Sequence, residues 1–121
     1  MFIAEPYTVS WLATAAAYRV QNLDCLKAIY EKCLTPSLSF FLNISPDIAY
    51  KRILERPNQD IAVVKTGKQH LERYHEGFLT ALESLHYPTI ILDSENHSPI
   101  ELLAQIEPHL KQSCIERMLS Q

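Results

Sequence analysis

The 121-residue sequence contains only two glycines, Gly67 and Gly77. A phosphate-binding loop of the Gly-x-x-x-x-Gly-Lys-Ser/Thr type needs two glycines five residues apart, followed by a lysine. The two glycines are ten residues apart, and Gly67-Lys68 is followed by Gln69. These 121 residues therefore contain no such loop, and a nucleoside triphosphate site would have to be completed elsewhere.

Excess positive charge, paired cysteines and long apolar runs are also missing. Eleven Lys and Arg against 14 Asp and Glu give a net charge of −3, so we do not expect nucleic acid as a partner. The three cysteines are odd in number and lack Cys-x-x-Cys spacing, which argues against a disulfide framework or a zinc knuckle. No apolar run approaches a membrane span and no signal-peptide pattern is present, so we expect a cytoplasmic protein without membrane contact.

The five histidines give no metal-binding pattern. No two of them are three or four residues apart, which is the spacing that places two ligands on one helix face. We therefore expect no metal site. With 47% hydrophobic residues, the chain has the composition of one globular domain.

Apolar periodicity and helix-start signals predict alternating strands and helices. The pattern predicts strands over 1–4, 37–44 and 88–93, and helices over 10–21, 45–56, 68–86 and from residue 98 onward. A second helix, capped by Asn22 or Asp24, is expected to run to about residue 32. Such an order is typical of an α/β fold with parallel strands joined by right-handed crossovers.

Several local signals sharpen these expectations. The continuous apolar runs in the second and third strands predict strands buried on both faces. Ser98-Pro99-Ile100-Glu101 is a capping box with proline at the first helical position, and Pro108 is expected to kink or split the helix that follows. Residues 57–67 are interpreted as a loop, although the apolar residues 61–64 within it are also compatible with a strand or a lid.

Three segments resemble one enzyme family. Residues 35–53, Thr-Pro-Ser-Leu-Ser-Phe-Phe-Leu-Asn-Ile-Ser-Pro-Asp-Ile-Ala-Tyr-Lys-Arg-Ile, are similar to the thymidylate kinase segment in which a strand leads through Asp and Pro to an Arg-bearing helix. Residues 71–78, Leu-Glu-Arg-Tyr-His-Glu-Gly-Phe, resemble the helix after that family's lid, and residues 90–94 resemble its last strand. The chain thus resembles the carboxy-terminal part of a thymidylate kinase, and the deoxynucleoside kinases share much of this layout.

The resemblance implies a P-loop kinase-like three-layer α/β fold with a truncated parallel sheet flanked by helices. It implies a single domain over residues 1–121 that lacks the amino-terminal phosphate-loop half. The inherited reaction would be phosphoryl transfer from ATP to dTMP, with Mg²⁺ bound to ATP and no intrinsic cofactor. Because the strand that bears the phosphate loop would be missing from the sheet, we expect a homodimer or a companion chain that supplies the loop.

By the same resemblance, the substrate-binding positions fall on Glu5, Tyr7 and Ser10. The motif's phosphate-binding Arg is replaced by Pro6, and its nucleoside-facing aromatic and amide pair by Thr14 and Ala15. The lid's Asp-Arg pair falls on Asp60-Ile61. Two arginines of the family pattern are therefore missing, and no catalytic residue can be assigned.

Four cations flank the expected lid and are candidates to face phosphates: Arg52, Arg56, Lys65 and Lys68. The alternative interpretation is that they are solvated charges at helix ends and in a loop. Catalysis of phosphoryl transfer depends on such cations, so we expect this chain to be inactive on its own. The alternative function is a non-catalytic remnant that binds a nucleotide, or that binds protein through an apolar sheet edge and residues 61–64.

Overall fold

The computed structural model describes residues 8–58 and 61–121. Within them, the architecture is mixed helix and strand, with a small two-stranded parallel sheet flanked in the chain by helices. The elements are α1 (Thr8–Ala17), α2 (Leu23–Tyr30), β1 (Ser39–Asn43), α3 (Pro46–Leu54), α4 (Ile61–Thr66), α5 (Lys68–Leu85), β2 (Thr89–Asp93) and α6 (Pro99–Leu119). The strand predicted over 1–4 lies outside the described residues.

The chain divides into two compact units. The helical unit comprises the described residues of Met1–Thr35 together with Ser45–His86, and it holds α1 to α5. The sheet unit comprises Pro36–Ile44 and Tyr87–Gln121, and it holds β1, β2 and α6. The expectation of a single domain over 1–121 stays a prediction.

Small residues determine how closely α1 and α5 pack in the helical unit. The α1 residues Ala13, Ala15 and Ala17 are all buried. On α5, Gly77 lies so close to α1 that a Cβ built on it would be 2.5 Å from the carbonyl oxygen of Ala13. Small residues on both helices therefore allow α1 and α5 to pack closely.

The prediction of a loop over 57–67 is wrong, because residues 61–66 form the short helix α4. Val63 in this helix is buried, with 2% of its surface exposed. A hydrogen bond from the amide of Gly67 to the carbonyl of Val63 closes the helix at its carboxyl end. Tertiary burial of Val63, which no local signal reports, stabilises a helix in a segment of high β-propensity.

Strands β1 and β2 are parallel and in register from Ser39 opposite Thr89 to Asn43 opposite Asp93. Parallel pairing is therefore confirmed, but the expectation of strands buried on both faces is wrong. Ile91 is 58% exposed and Leu42 is also exposed, whereas Leu92 is buried. The described sheet has two strands, so neighbouring strands shield less of each apolar side chain than in a wide parallel sheet.

Helix α6 begins as the sequence predicts. The Ser98 hydroxyl accepts a hydrogen bond from the Glu101 amide. The Glu101 carboxylate in turn accepts one from the Ser98 amide at 2.6 Å, which completes the capping box. Of the two alternatives for Pro108, the split is wrong, because α6 is one element that includes Pro108, and the kink stays a prediction. Proline removes one backbone donor, and the carbonyl it leaves unpaired belongs to the exposed Ala104. None of the described helices is long and apolar enough to cross a membrane.

Candidate functional site

Of the three substrate-binding positions that the resemblance implies, only Ser10 lies within the described residues. Ser10 is in α1, and its backbone carbonyl accepts a hydrogen bond from the Thr14 hydroxyl at 2.8 Å. Glu5 and Tyr7 lie outside the described residues. The helix therefore places Ser10 one turn before Thr14, the position that the resemblance assigns to the nucleoside side.

The four candidate phosphate-facing cations all belong to the helical unit. Arg52 is in α3, Arg56 follows that helix, Lys65 is in α4 and Lys68 begins α5. Of these, the side chains of Arg52, Arg56 and Lys65 belong to exposed residues, which suits either a phosphate contact or a solvated charge. The structure thus leaves both interpretations of those three cations in place.

Two carboxylates hold the ammonium group of Lys68. Its Nζ donates to Asp47 Oδ1 at 2.8 Å and lies 3.1 Å from Glu72 Oε1. The hydrogen bond to Asp47, and after it the one to Glu72, raise the pKa of Lys68 above its ordinary value. Lys68 therefore links α3 to α5 through two partly exposed ion pairs.

Four aromatic side chains lie together on the α1 and α5 side of the helical unit, and we call them the aromatic cluster: Tyr18, His70, Tyr74 and Phe78. The His70 and Tyr74 ring centroids are 4.9 Å apart, and Tyr18 lies 5.9 Å from His70 and 6.1 Å from Tyr74. The Tyr18 and Tyr74 rings meet edge to face at 90°. Such tilted and edge-to-face arrangements are favourable for aromatic pairs.

Hydrogen bonds fix the cluster to α1. The Thr14 hydroxyl gives its only proton to the Ser10 carbonyl, so in its 3.3 Å contact with the Tyr74 hydroxyl it must be the acceptor. Tyr74 therefore donates to Thr14. The Tyr18 hydroxyl lies 3.5 Å from His70 Nδ1. Tyr74 is held by its hydroxyl, whereas Tyr18 is 57% exposed and presents ring surface to solvent.

Sequence reasoning missed this cluster because its members come from two distant segments. Thr14 and Tyr74 are 60 residues apart. A local signal was present on each helix: His70, Tyr74 and Phe78 recur every four residues, which places them on one face of α5. The structure adds that this face meets Thr14 through the Tyr74 hydroxyl.

The sheet unit carries a turn built on Asp93. Its Oδ1 accepts hydrogen bonds from the backbone amides of Glu95 at 2.9 Å and Asn96 at 3.2 Å. Its Oδ2 accepts a hydrogen bond from the Asn96 side-chain amide at 2.7 Å. The Asn96 side-chain bond, followed by the Glu95 amide, lowers the pKa of Asp93. Asp93, the last residue of β2, thus holds the turn that follows the strand with an ionised carboxylate.

A cleft in the sheet unit is too small for a nucleotide. Its volume is about 130 Å³, against roughly 300–1,000 Å³ for typical small-molecule sites. Ser37 and His109 are among its lining residues, and the Arg117 guanidinium donates to the Ser37 hydroxyl beside it. Across residues 8–58 and 61–121, no three His, Cys, Asp or Glu side chains are arranged to hold a metal ion.

No protein-family model, curated protein sequence or solved structure matches the chain. The relationship to thymidylate kinases therefore rests on the three segments quoted above and stays a prediction. The aromatic cluster and the cations of the helical unit are the described features that bear on function.

Proposed function

We propose that the chain is a thymidylate kinase-like protein that binds a deoxynucleoside monophosphate such as dTMP and does not transfer phosphoryl groups by itself. One observation carries the proposal: the aromatic cluster lies beside Thr14, the position that the resemblance assigns to the nucleoside side. The rings on α5 and Tyr18 at the end of α1 would supply the aromatic surface that the family pattern has at the position of Thr14. The base would stack on Tyr18, the most exposed member of the aromatic cluster.

Stacking supplies part of the free energy needed to hold a base without a deep pocket, and the phosphate contacts must supply the rest. Base–aromatic stacking is worth about 1–3 kcal/mol per base. The neighbouring His70 and Tyr74 rings keep Tyr18 in place, since both lie within about 6 Å of it. The phosphate of dTMP would then meet the exposed cations that the resemblance nominates: Arg52, Arg56 and Lys65.

We expect no turnover because the chain lacks cations at positions that phosphoryl transfer needs. An arginine that stabilises the transferring phosphoryl group contributes about 10³–10⁵ in rate. Pro6 and Ile61 stand at the two positions where the family pattern has arginine, and the 121 residues contain no phosphate loop. Lys68 is already paired with Asp47 and Glu72. ATP with its Mg²⁺ would therefore find too little positive charge for catalysis on this chain alone.

Two substitutions at Tyr18 test the binding proposal. Trp11, the single tryptophan, is exposed in α1 two turns before Tyr18, so its fluorescence reports dTMP binding nearby. Tyr18→Phe keeps the ring and should leave the Kd for dTMP within about twofold. Tyr18→Ala removes the stacking surface and should weaken binding about 5- to 150-fold, the equivalent of 1–3 kcal/mol.

Circular dichroism of both variants serves as the control, because Tyr18 is exposed and neither change should alter helix content. Equal affinity of Tyr18→Ala and the unmodified chain would exclude the aromatic cluster as the base site. A separate assay tests catalysis: the unmodified chain, incubated with dTMP and ATP·Mg²⁺, should form no ADP above the rate without protein. ADP formation that depends on dTMP would contradict the proposed inactivity.

The alternative of a protein-binding remnant that uses residues 61–64 receives less support. Val63 is buried within the chain, and Val64 is exposed. Because only one of these two valines is accessible, the apolar surface that the segment presents to a partner is small. Exposed apolar side chains are instead concentrated on the last helix of the sheet unit.

A further inference from the structure

Helix α6 carries a second apolar face that the sheet unit does not cover. At about 100° per residue, one arc of roughly 120° contains eight residues, all exposed. We call it the outer face: Ile100, Leu103, Ala104, Glu107, Lys111, Cys114, Ile115 and Met118. Ile100 is 80% exposed and Met118 is 75% exposed. The buried Leu102 and half-buried Ile106 lie on the opposite side of the helix.

The outer face is arranged symmetrically about residue 109. Four pairs of positions are equally distant from it: 100 and 118, 103 and 115, 104 and 114, and 107 and 111. In each pair the residues are complementary: Ile with Met, Leu with Ile, Ala with Cys, and Glu with Lys. An antiparallel pair of identical helices brings such positions together, because each residue meets its mirror position on the partner.

We propose that the outer face of α6 binds the outer face of a second copy of this chain, as an antiparallel helix pair around a twofold axis at the level of residue 109. Ile100 then packs against the partner's Met118, and Leu103 against the partner's Ile115. Ala104 lies opposite the partner's Cys114, and these small side chains allow the helices to approach closely. The interface extends along most of the 21-residue helix.

Charge selects the antiparallel orientation. Glu107 Oε1 and Lys111 Nζ are 2.7 Å apart within one helix, and both side chains are well exposed. In the antiparallel pair, Glu107 also faces the partner's Lys111, so the four charges alternate in sign. A parallel pair in register would instead place glutamate against glutamate and lysine against lysine, which is repulsive.

Cysteine distinguishes the two orientations. Cys114 is five positions from the centre, so in the antiparallel pair it lies about 15 Å along the axis from the partner's Cys114. A disulfide needs Cα atoms roughly 4.4–6.8 Å apart. Cys114 therefore cannot crosslink to its counterpart in the antiparallel pair, whereas it could in a parallel one. The proposed geometry instead places Ala104 next to the partner's Cys114.

The crosslinking experiment uses the full chain with Cys25→Ser and Cys33→Ser, two exposed positions outside α6. Under mild oxidation this parent should run as a monomer on a non-reducing gel. Adding Ala104→Cys should give a disulfide-linked dimer. Adding Cys114→Ser to that variant should abolish the dimer, and Gln112→Cys in the parent, off the outer face, should not produce one.

Crosslinking of the parent through Cys114 would overturn the antiparallel arrangement. No crosslinking with Ala104→Cys, together with a monomer mass by light scattering at all concentrations, would overturn the dimer itself.

A charge exchange tests the same interface without cysteine chemistry. Glu107→Lys should weaken dimerisation at least about tenfold, because each added lysine faces the partner's Lys111. The double variant Glu107→Lys with Lys111→Glu should restore the Kd of the unmodified chain, since opposite charges face each other again. Both positions are exposed, so circular dichroism should show folded protein in every case. A dimer whose Kd, measured by sedimentation, does not respond to Glu107→Lys would exclude the outer face as the interface.

Discussion

Helices α1 and α5 approach each other closely at Gly77. A Cβ at this position would be 2.5 Å from the Ala13 carbonyl oxygen and 3.4 Å from the Ala17 amide nitrogen. Real Cβ contacts essentially never fall below 3.0 Å, so Gly77→Ala requires a displacement of about 0.5 Å, the difference between 3.0 and 2.5 Å. The obstacle is backbone, so no side-chain rotation can relieve it.

Two opposing free-energy contributions decide the outcome of Gly77→Ala. Alanine is favoured over glycine in a helix interior by about 0.8–1.0 kcal/mol. Overpacking of a tight interior costs about 1–3 kcal/mol, and contact with backbone places this site in the upper part of that range. The steric cost exceeds the gain in helix propensity. We therefore expect the free energy of unfolding to fall by about 1–2 kcal/mol.

Urea unfolding followed by circular dichroism at 222 nm measures this difference. The control is Glu83→Ala, also in α5 but exposed, which should change the free energy of unfolding by less than about 0.5 kcal/mol. If Gly77→Ala is as stable as the unmodified chain, or more stable, then α1 and α5 do not approach as closely as described. The argument that small residues determine their packing would then fail.

Two further predictions concern single helix ends. Gly67 precedes α5 with φ 68° and ψ −162°, a region nearly restricted to glycine, and no atom lies within 4 Å of its virtual Cβ. Gly67→Ala should therefore lower the free energy of unfolding by about 1–3 kcal/mol through backbone strain alone, and unchanged stability in urea would contradict this. The Ser98 amide lowers the pKa of Glu101 in the folded state, so its stabilising contribution is present at neutral pH and is lost as the pH falls through that lowered pKa. Thermal unfolding from about pH 5 downward should show a steeper loss of Tm in the unmodified chain than in Glu101→Gln, and parallel curves would refute the assignment.

Local sequence signals predicted the features that depend only on neighbouring residues. The capping box at Ser98 forms because its hydroxyl and the Glu101 carboxylate are three residues apart. The long helix α5 follows its apolar stripe, and β1 and β2 follow their apolar runs. Parallel pairing of the strands follows from the helices that separate them in the chain.

Features that depend on distant residues could not be predicted in the same way. Helix α4 was missed because burial of Val63 outweighs the β-propensity of its segment. The exposure of Ile91 depends on how many strands surround β2, which its own sequence does not report. The aromatic cluster likewise joins Tyr18 to His70 and Tyr74 across more than 50 residues. Each of these features depends on how distant segments pack, and no sequence signal links those segments.

Isothermal titration calorimetry of the unmodified chain with dTMP tests the proposed function most directly. We expect a saturable heat that fits one dTMP per chain, together with no ADP formation when ATP·Mg²⁺ is added to the same sample. Thymidine should compete for the site, because base stacking on the aromatic cluster supplies the main attraction. A folded chain that gives no heat with dTMP up to millimolar concentration would contradict the nucleotide-binding function.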